Sequence, residues 1–354
     1  VSKPGGSFTS NSIGATDISF VEAAFISMDA GTTLHLGSFL STGSAEFTSG
    51  GDLILDEGSS VGFLSGTSTG GNIRLGSLTS IGPVTFDANG TLQIAQLIAI
   101  SRTGNVSFPD LDGSITLTSG GELKLGSLES ASFVTIESGS LNAQTGSILA
   151  SGDIFVTTGG NLMIGSANGS TVTFDSGGTI SFTEVIGRNG ANLRSVGALS
   201  GGLLGTSSGD ADLISTGGDI SLTQANISGA FTVNAARNVT LGNFVSDFDA
   251  DVTAGGNADV TSGRTRGQQG NNSTSAPGVP VGQAGGAVTS NILFNVGGTL
   301  SLGALESLGN ISITAASLAG ATSSLLANGN VGITTTGAAQ FGTLDAQSAL
   351  INSG

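Results

Sequence analysis

The chain has 354 residues, 60 of them glycine and none cysteine. Charged residues make up 10% and the formal net charge is −16, which argues against a basic groove for nucleic acid and excludes disulfides and thiolate metal sites. Mean hydropathy is +0.28, the reverse of the composition that yields disorder, and no run of about 18 apolar residues exists to cross a bilayer.

In chain order, Val1 opens without a methionine or signal peptide, which predicts a processed product or internal fragment whose export address has been removed. Residues 1–14 are rich in glycine and serine, as a lead-in or cap would be. The cluster Val21, Phe25, Ile26 and Met28 predicts a strand. Then a phrase begins to recur: Gly50-Gly51-Asp52-Leu53-Ile54-Leu55, Gly70-Gly71-Asn72-Ile73-Arg74-Leu75 and Gly120-Gly121-Glu122-Leu123-Lys124-Leu125. It returns at Gly159-Gly160-Asn161, Gly217-Gly218-Asp219 and Gly297-Gly298-Thr299. A repeat near 20 residues is the sequence mark of a solenoid.

One unit gives the logic. After Gly70-Gly71, Ile73 and Leu75 alternate with Asn72 and Arg74, so the aliphatic pair shares a strand face. Leu78 returns inward past Gly76-Ser77, and beyond Gly82-Pro83 the pair Val84 and Phe86 repeats the two-apart spacing. Strands this short do not stand alone in water. Stacked coils solve the problem, because each strand pairs with its counterpart one coil away and the inward side chains form continuous columns. The fold class expected is all-β: a right-handed parallel β-helix of about 20-residue coils spanning 1–354 as a single domain. Asn72, Asn161 and the Asp/Gly turns are expected to cap coils. Two stretches break the rhythm and are expected to be insertions: a glycine-rich irregular segment at 187–212, and an exposed loop at 261–287 carrying Arg264, Arg266, Gln268, Gln269, Pro277 and Pro280.

The phrase Gly71-Asn72-Ile73-Arg74-Leu75-Gly76, with the Val-x-apolar strands that follow it, resembles the repeats of filamentous-haemagglutinin-like exoproteins. These are large bacterial adhesins exported by two-partner secretion or autotransport. The resemblance covers most of the chain outside the two irregular stretches and implies a rod displayed outside a bacterial cell, acting in adhesion, as biofilm matrix or as surface filament. The motifs of the family's amino-terminal secretion domain and its translocator barrel do not occur here.

Candidate chemistry is sparse. His35, the single histidine, sits in Leu34-His35-Leu36, where alternation turns it outward, as a solvated surface residue. Asp247, Asp249 and Asp251, with Asp259, have a spacing that could supply hard oxygen ligands to calcium. In a strand the same spacing makes a solvated outward face, with Phe248, Ala250 and Val252 inward. Asp110 and Asp112 form a lesser candidate for calcium. Glycosidic cleavage needs paired carboxylates, yet Trp and Tyr are absent as sugar platforms and the 17 phenylalanines read mostly as core, as at Phe86, Phe108 and Phe174. Asn-x-Ser/Thr occurs at Asn89, Asn105, Asn168, Asn226, Asn238, Asn272 and Asn310. Thr334-Thr335-Thr336 is one cluster rather than an ice-binding ladder.

The expectation is therefore a non-enzymatic structural or adhesive rod segment of a secreted bacterial surface protein, with no cofactor. Its partner would be a host-cell or matrix surface, protein or glycan, or copies of itself. The rival is a filament subunit joined end to end through open solenoid edges, ahead of a polysaccharide-active β-helix enzyme.

Overall fold

The computed structural model describes residues 2–101, 112–267 and 290–354. The regular elements among them are all β-strands, and the strand pairings are parallel. Hydrogen bonds link successive coils, commonly 19 or 20 positions apart and 42 apart where Asn291 meets Asp249. This is a parallel β-solenoid, as the repeat predicted. Two compact units divide it, Val1–Thr183 and Glu184–Gly354.

In the first unit, Leu53–Ser60 followed by Leu64–Ser68 makes one coil. Leu53 and Leu55 are buried; the alternation slips at Asp56 and Glu57 and resumes with Ser60 inward. The slip turns a corner, so the long strand serves two sides of the coil and the short strand a third. Leu34, Leu53, Ile73, Leu92, Leu123 and Leu141 form one buried column. Phe47, Gly66, Phe86, Leu117, Ile136, Val156 and Phe174 form another. Each fully buried aliphatic side chain contributes about 1.5–3 kcal/mol. The predicted strand at 21–28 lies within Thr16–Ala30, with Val21, Ile26 and Met28 buried and Phe25 exposed.

Large rings need room inside so narrow a coil. Phe39 is in register with Gly58, which is in register with Leu78, and a Cβ built on Gly58 would collide with the Phe39 ring. The second unit repeats the device with Phe244, Gly263 and Leu305. Phe39 also packs on Phe47, ring centroids 5.0 Å apart.

At the corners, inward serines replace aliphatics and add a second donor to turn carbonyls, such as those of Gly43 and Phe63, that already accept a backbone N–H. Ser60 Oγ donates to the carbonyls of Gly43 (2.9 Å) and Phe63 (3.1 Å). Ser130 does the same for Gly113 and Phe133, and Ser246 and Ser307 do so in the second unit. A buried hydroxyl is tolerated because these carbonyls give its proton a partner.

In the second unit Leu199, Ile220, Val239, Ala258, Leu300 and Leu318 form the equivalent column. Two expectations are corrected. Residues 187–212 are not an irregular insertion: they lie in Ile180–Ser195, Leu199–Thr206 and Ala211–Ser215, in register with the next coil. The glycines had masked an intact inward pattern, since Ala191, Leu193, Leu199, Leu204, Ala211 and Leu213 are all buried. Likewise the expected loop at 261–287 starts too early. Thr261 to Thr265 complete the strand Ala258–Thr265, where Gly263 and Thr265 face inward. Gln268, Gln269, Pro277 and Pro280 lie outside the described residues.

The expected coil caps are present as ladders of side-chain amides. Asn72 donates from its backbone N–H to Asp52 Oδ1 (2.8 Å) and accepts from the Thr91 N–H (2.9 Å). Asn161 accepts from the Thr179 N–H (3.0 Å). Longer runs join Asp219, Asn238, Asn257 and Thr299, and Asp249, Asn291, Asn310 and Asn330.

Candidate functional site

His35 faces outward as expected, but it is not merely solvated. In Leu34–Ser41 it is in register with Asp17 on one neighbouring strand and Ile54 on the other. Nδ1 lies 3.1 Å from Asp17 Oδ1 and Nε2 lies 3.0 Å from Asp56 Oδ2. Only the imidazolium can donate to both carboxylates at once. Its pKa is raised above the ordinary histidine value, mainly by the hydrogen bond to Asp56. Partial burial opposes this, and the charges of Asp17 and Asp56 add to it. The arrangement ties three successive coils together.

The four aspartates considered for calcium do not converge. Asp247 sits in a turn and faces Arg266, Nη1 to Oδ1 3.9 Å. Asp249 is engaged in a cap, accepting from the backbone N–H and side-chain amide of Asn291. Asp251 projects from Ala250–Ala254, its pKa raised by burial and then by the charge of Asp249. Asp259 lies on a different strand, Ala258–Thr265, in register with Thr240 and Ser301. Ala250 and Val252 point inward as expected, while Phe248 is half-buried in the turn. No group of three or more His, Asp or Glu among the described residues could hold a metal ion. Asp112 is exposed, and Asp110 lies outside the described residues.

Of these sequons, Asn105 and Asn272 lie outside the described residues. The Asn238 and Asn310 side chains are both engaged in the amide ladders. The Thr334 cluster does not extend along its column, where Thr334 is in register with Thr314 and Asn352.

What the sequence did not reveal is a groove of about 340 Å³ on the second unit. Asn243, Ser262, Ala304 and Ser324, stacked in register, supply small side chains along one side. Val245, Arg264, Glu306 and Leu326 form the parallel column. Arg264 Nη2 lies 3.0 Å from Glu306 Oε1, and Ser262 Oγ donates to Asn243 Oδ1 at 2.7 Å. A smaller polar groove of about 170 Å³ adjoins it, lined by Thr206, Asn226, Val245, Asp247 and Arg266. Arg264 and Glu306 are 42 positions apart, and assigning Arg264 to a loop concealed their pairing. The alternation of Ala258, Val260 and Gly263 was the signal that could have found it.

The lining of this trough is mainly apolar, from residues such as Val245, Leu305 and Leu326, and its one ion pair, Arg264 with Glu306, neutralises itself. No protein family, curated protein or solved structure matches the chain. Fold and surface together define the class: a repeat protein of the parallel β-solenoid type.

Proposed function

We propose that the chain is a non-enzymatic structural and adhesive segment of a secreted bacterial surface exoprotein. The observation that carries this reading is the coil stack itself. Inward columns are given wholly to packing and corner hydrogen bonds, while outward columns repeat Ser, Thr, Asn and Asp at fixed axial spacing. The groove along Asn243 to Leu326 is the contact surface in this reading, and its partner is a cell-surface or matrix protein or glycan. The test is attachment of the purified chain to immobilised host cells and biofilm matrix, comparing wild type with an Arg264→Ser/Leu326→Ser variant. About tenfold weaker attachment of the variant supports the groove as contact. Wild-type retention no better than an unrelated acidic protein removes the adhesive reading.

A second reading, a filament subunit, draws on the strand Ser348–Ser353. There Ile351 continues the buried column of Ile313 and Ile333 yet is 41% exposed. A further coil, whatever its source, would cover it. Long threads in electron micrographs of the purified chain favour this reading, and discrete particles count against it.

A further inference from the structure

Lys124 is one of two lysines in the chain. It projects outward from Ile115–Ser130, directly in register with Asn142 of Val134–Ala150 in the next coil. The buried pair Leu123 and Leu141 beside them fixes that register. Adjacent strands lie about 4.8 Å apart, so the amine and the side-chain amide start within reach of one another. Glu122 stands two residues before Lys124, hence on the same strand face, and it touches both groups. Its Oε2 lies 3.5 Å from Lys124 Nζ, and its Oε1 accepts from Asn142 Nδ2 at 3.2 Å. One carboxylate thus holds an amine against an amide of the neighbouring coil. On its other side Lys124 is in register with Gln93, but no hydrogen bond ties that amide to Glu122.

We propose that Lys124 and Asn142 join in an intramolecular isopeptide bond, with Glu122 as the proton carrier, so that two successive coils are linked covalently. The Nζ lone pair forms a bond to Asn142 Cγ, and the Cγ–Nδ2 electron pair leaves with its nitrogen. Glu122 takes the proton that Nζ sheds and returns one to Nδ2, the atom it already contacts. A lysine ammonium and a primary amide become a secondary amide and an ammonium ion. Protons and charge balance, nothing is oxidised, and no co-reactant is needed.

An amide is a poor electrophile toward an amine in dilute solution, and placement is what changes this. Groups held in line reach effective molarities of about 10⁵ M or more, and a positioned acid–base group adds about a hundredfold or more. The Lys124 side chain is 55% exposed, and lysine amines lose their proton readily only in alkali. The bond is therefore expected to build up slowly in the folded chain, and faster as pH rises. It depends neither on the adhesive reading above nor on the groove of the second unit.

The test is the intact mass of the full chain, fresh and after incubation in alkaline buffer. The expected result is loss of one ammonia per chain. Trypsin then no longer cleaves after Lys124, and digestion releases a branched peptide joining it to Asn142. Lys124→Arg and Asn142→Ala abolish the branched peptide, Gln93→Ala retains it, and Glu122→Gln slows its formation at least about tenfold. All four positions lie on the outward face, and the variants keep the wild-type circular dichroism melt before incubation. A mass equal to that of the sequence in both samples overturns the proposal. So does an ammonia loss that persists in Lys124→Arg, which marks cyclisation of an asparagine onto its own backbone, or a link formed equally fast in Glu122→Gln.

Discussion

Single residues carry more of this architecture than their exposure suggests. His35 is held between Asp17 and Asp56, and its folded pKa stands above the ordinary value. A raised histidine pKa contributes stability that is fully present below the unfolded value of about 6.5 and is lost as pH rises through the folded pKa. All three side chains are more than a third exposed, so the contribution is a few tenths of a kcal/mol. Titration by NMR of this one imidazole reports a pKa above 6.5 that falls toward it in Asp56→Asn. An unchanged value in that variant would show that the bond is absent in solution. Gly58 is a steric counterpart: Gly58→Ala forces the Phe39 ring from its site and costs about 1–3 kcal/mol in urea unfolding. Adding Phe39→Leu to the same chain recovers part of that loss. Neither partnership could be read in the sequence, because Asp56, Gly58 and their partners are separated by a full coil and only the register brings them together.

At the level of the strand and its turn, the amide ladders decide where one coil ends and the next begins. Asn291 donates to Asp249 and accepts from both the N–H and the side-chain amide of Asn310. Asn291→Ala keeps its backbone bond to Asp249 but removes the side-chain bonds to Asp249 and Asn310 and leaves the Asn310 N–H without its partner, at a cost of about 1–2 kcal/mol. Asn291→Asp keeps an acceptor for Asn310 but sets a carboxylate against Asp249, so its deficit shrinks as pH falls through the carboxylate range. Thermal melts at neutral and acid pH distinguish the two. Strands of this kind were legible: the Gly-Gly-Asn phrase located Asn72 and Asn161 as caps, and the two-apart apolar spacing located the inward columns. Glycine content was the misleading signal. At 187–212 it read as irregularity, although the inward pattern from Ala191 to Leu213 never lapsed. At 261–265 the charged Arg264 drew a strand residue into a loop.

For the molecule as a whole, composition set the class and left the surface open. The calcium spacing at Asp247, Asp249 and Asp251 is a property of the chain written flat; the turn at 247–249 separates these groups and commits Asp249 to a cap. Thermal midpoints are therefore expected to be the same with and without millimolar calcium, and an upward shift of several degrees would revive the metal reading. The groove near Arg264 and the pairing of Lys124 with Asn142 were equally hidden. Both are built from residues one or more coils apart, and a periodic sequence says which residues face outward without saying which outward neighbours meet.

The parallel ladders also bear on how such a chain acquires its structure. Most strands find their partners within about one repeat of the sequence; the longest separation among the described pairings is the 42 residues from Ala258 to Leu300. Contacts of short sequence separation close quickly, and in stacked repeats order spreads from any nucleus to the adjoining unit. A polypeptide emerging gradually through a narrow opening could thus wind itself up as it appears, each completed turn serving as the template for the next.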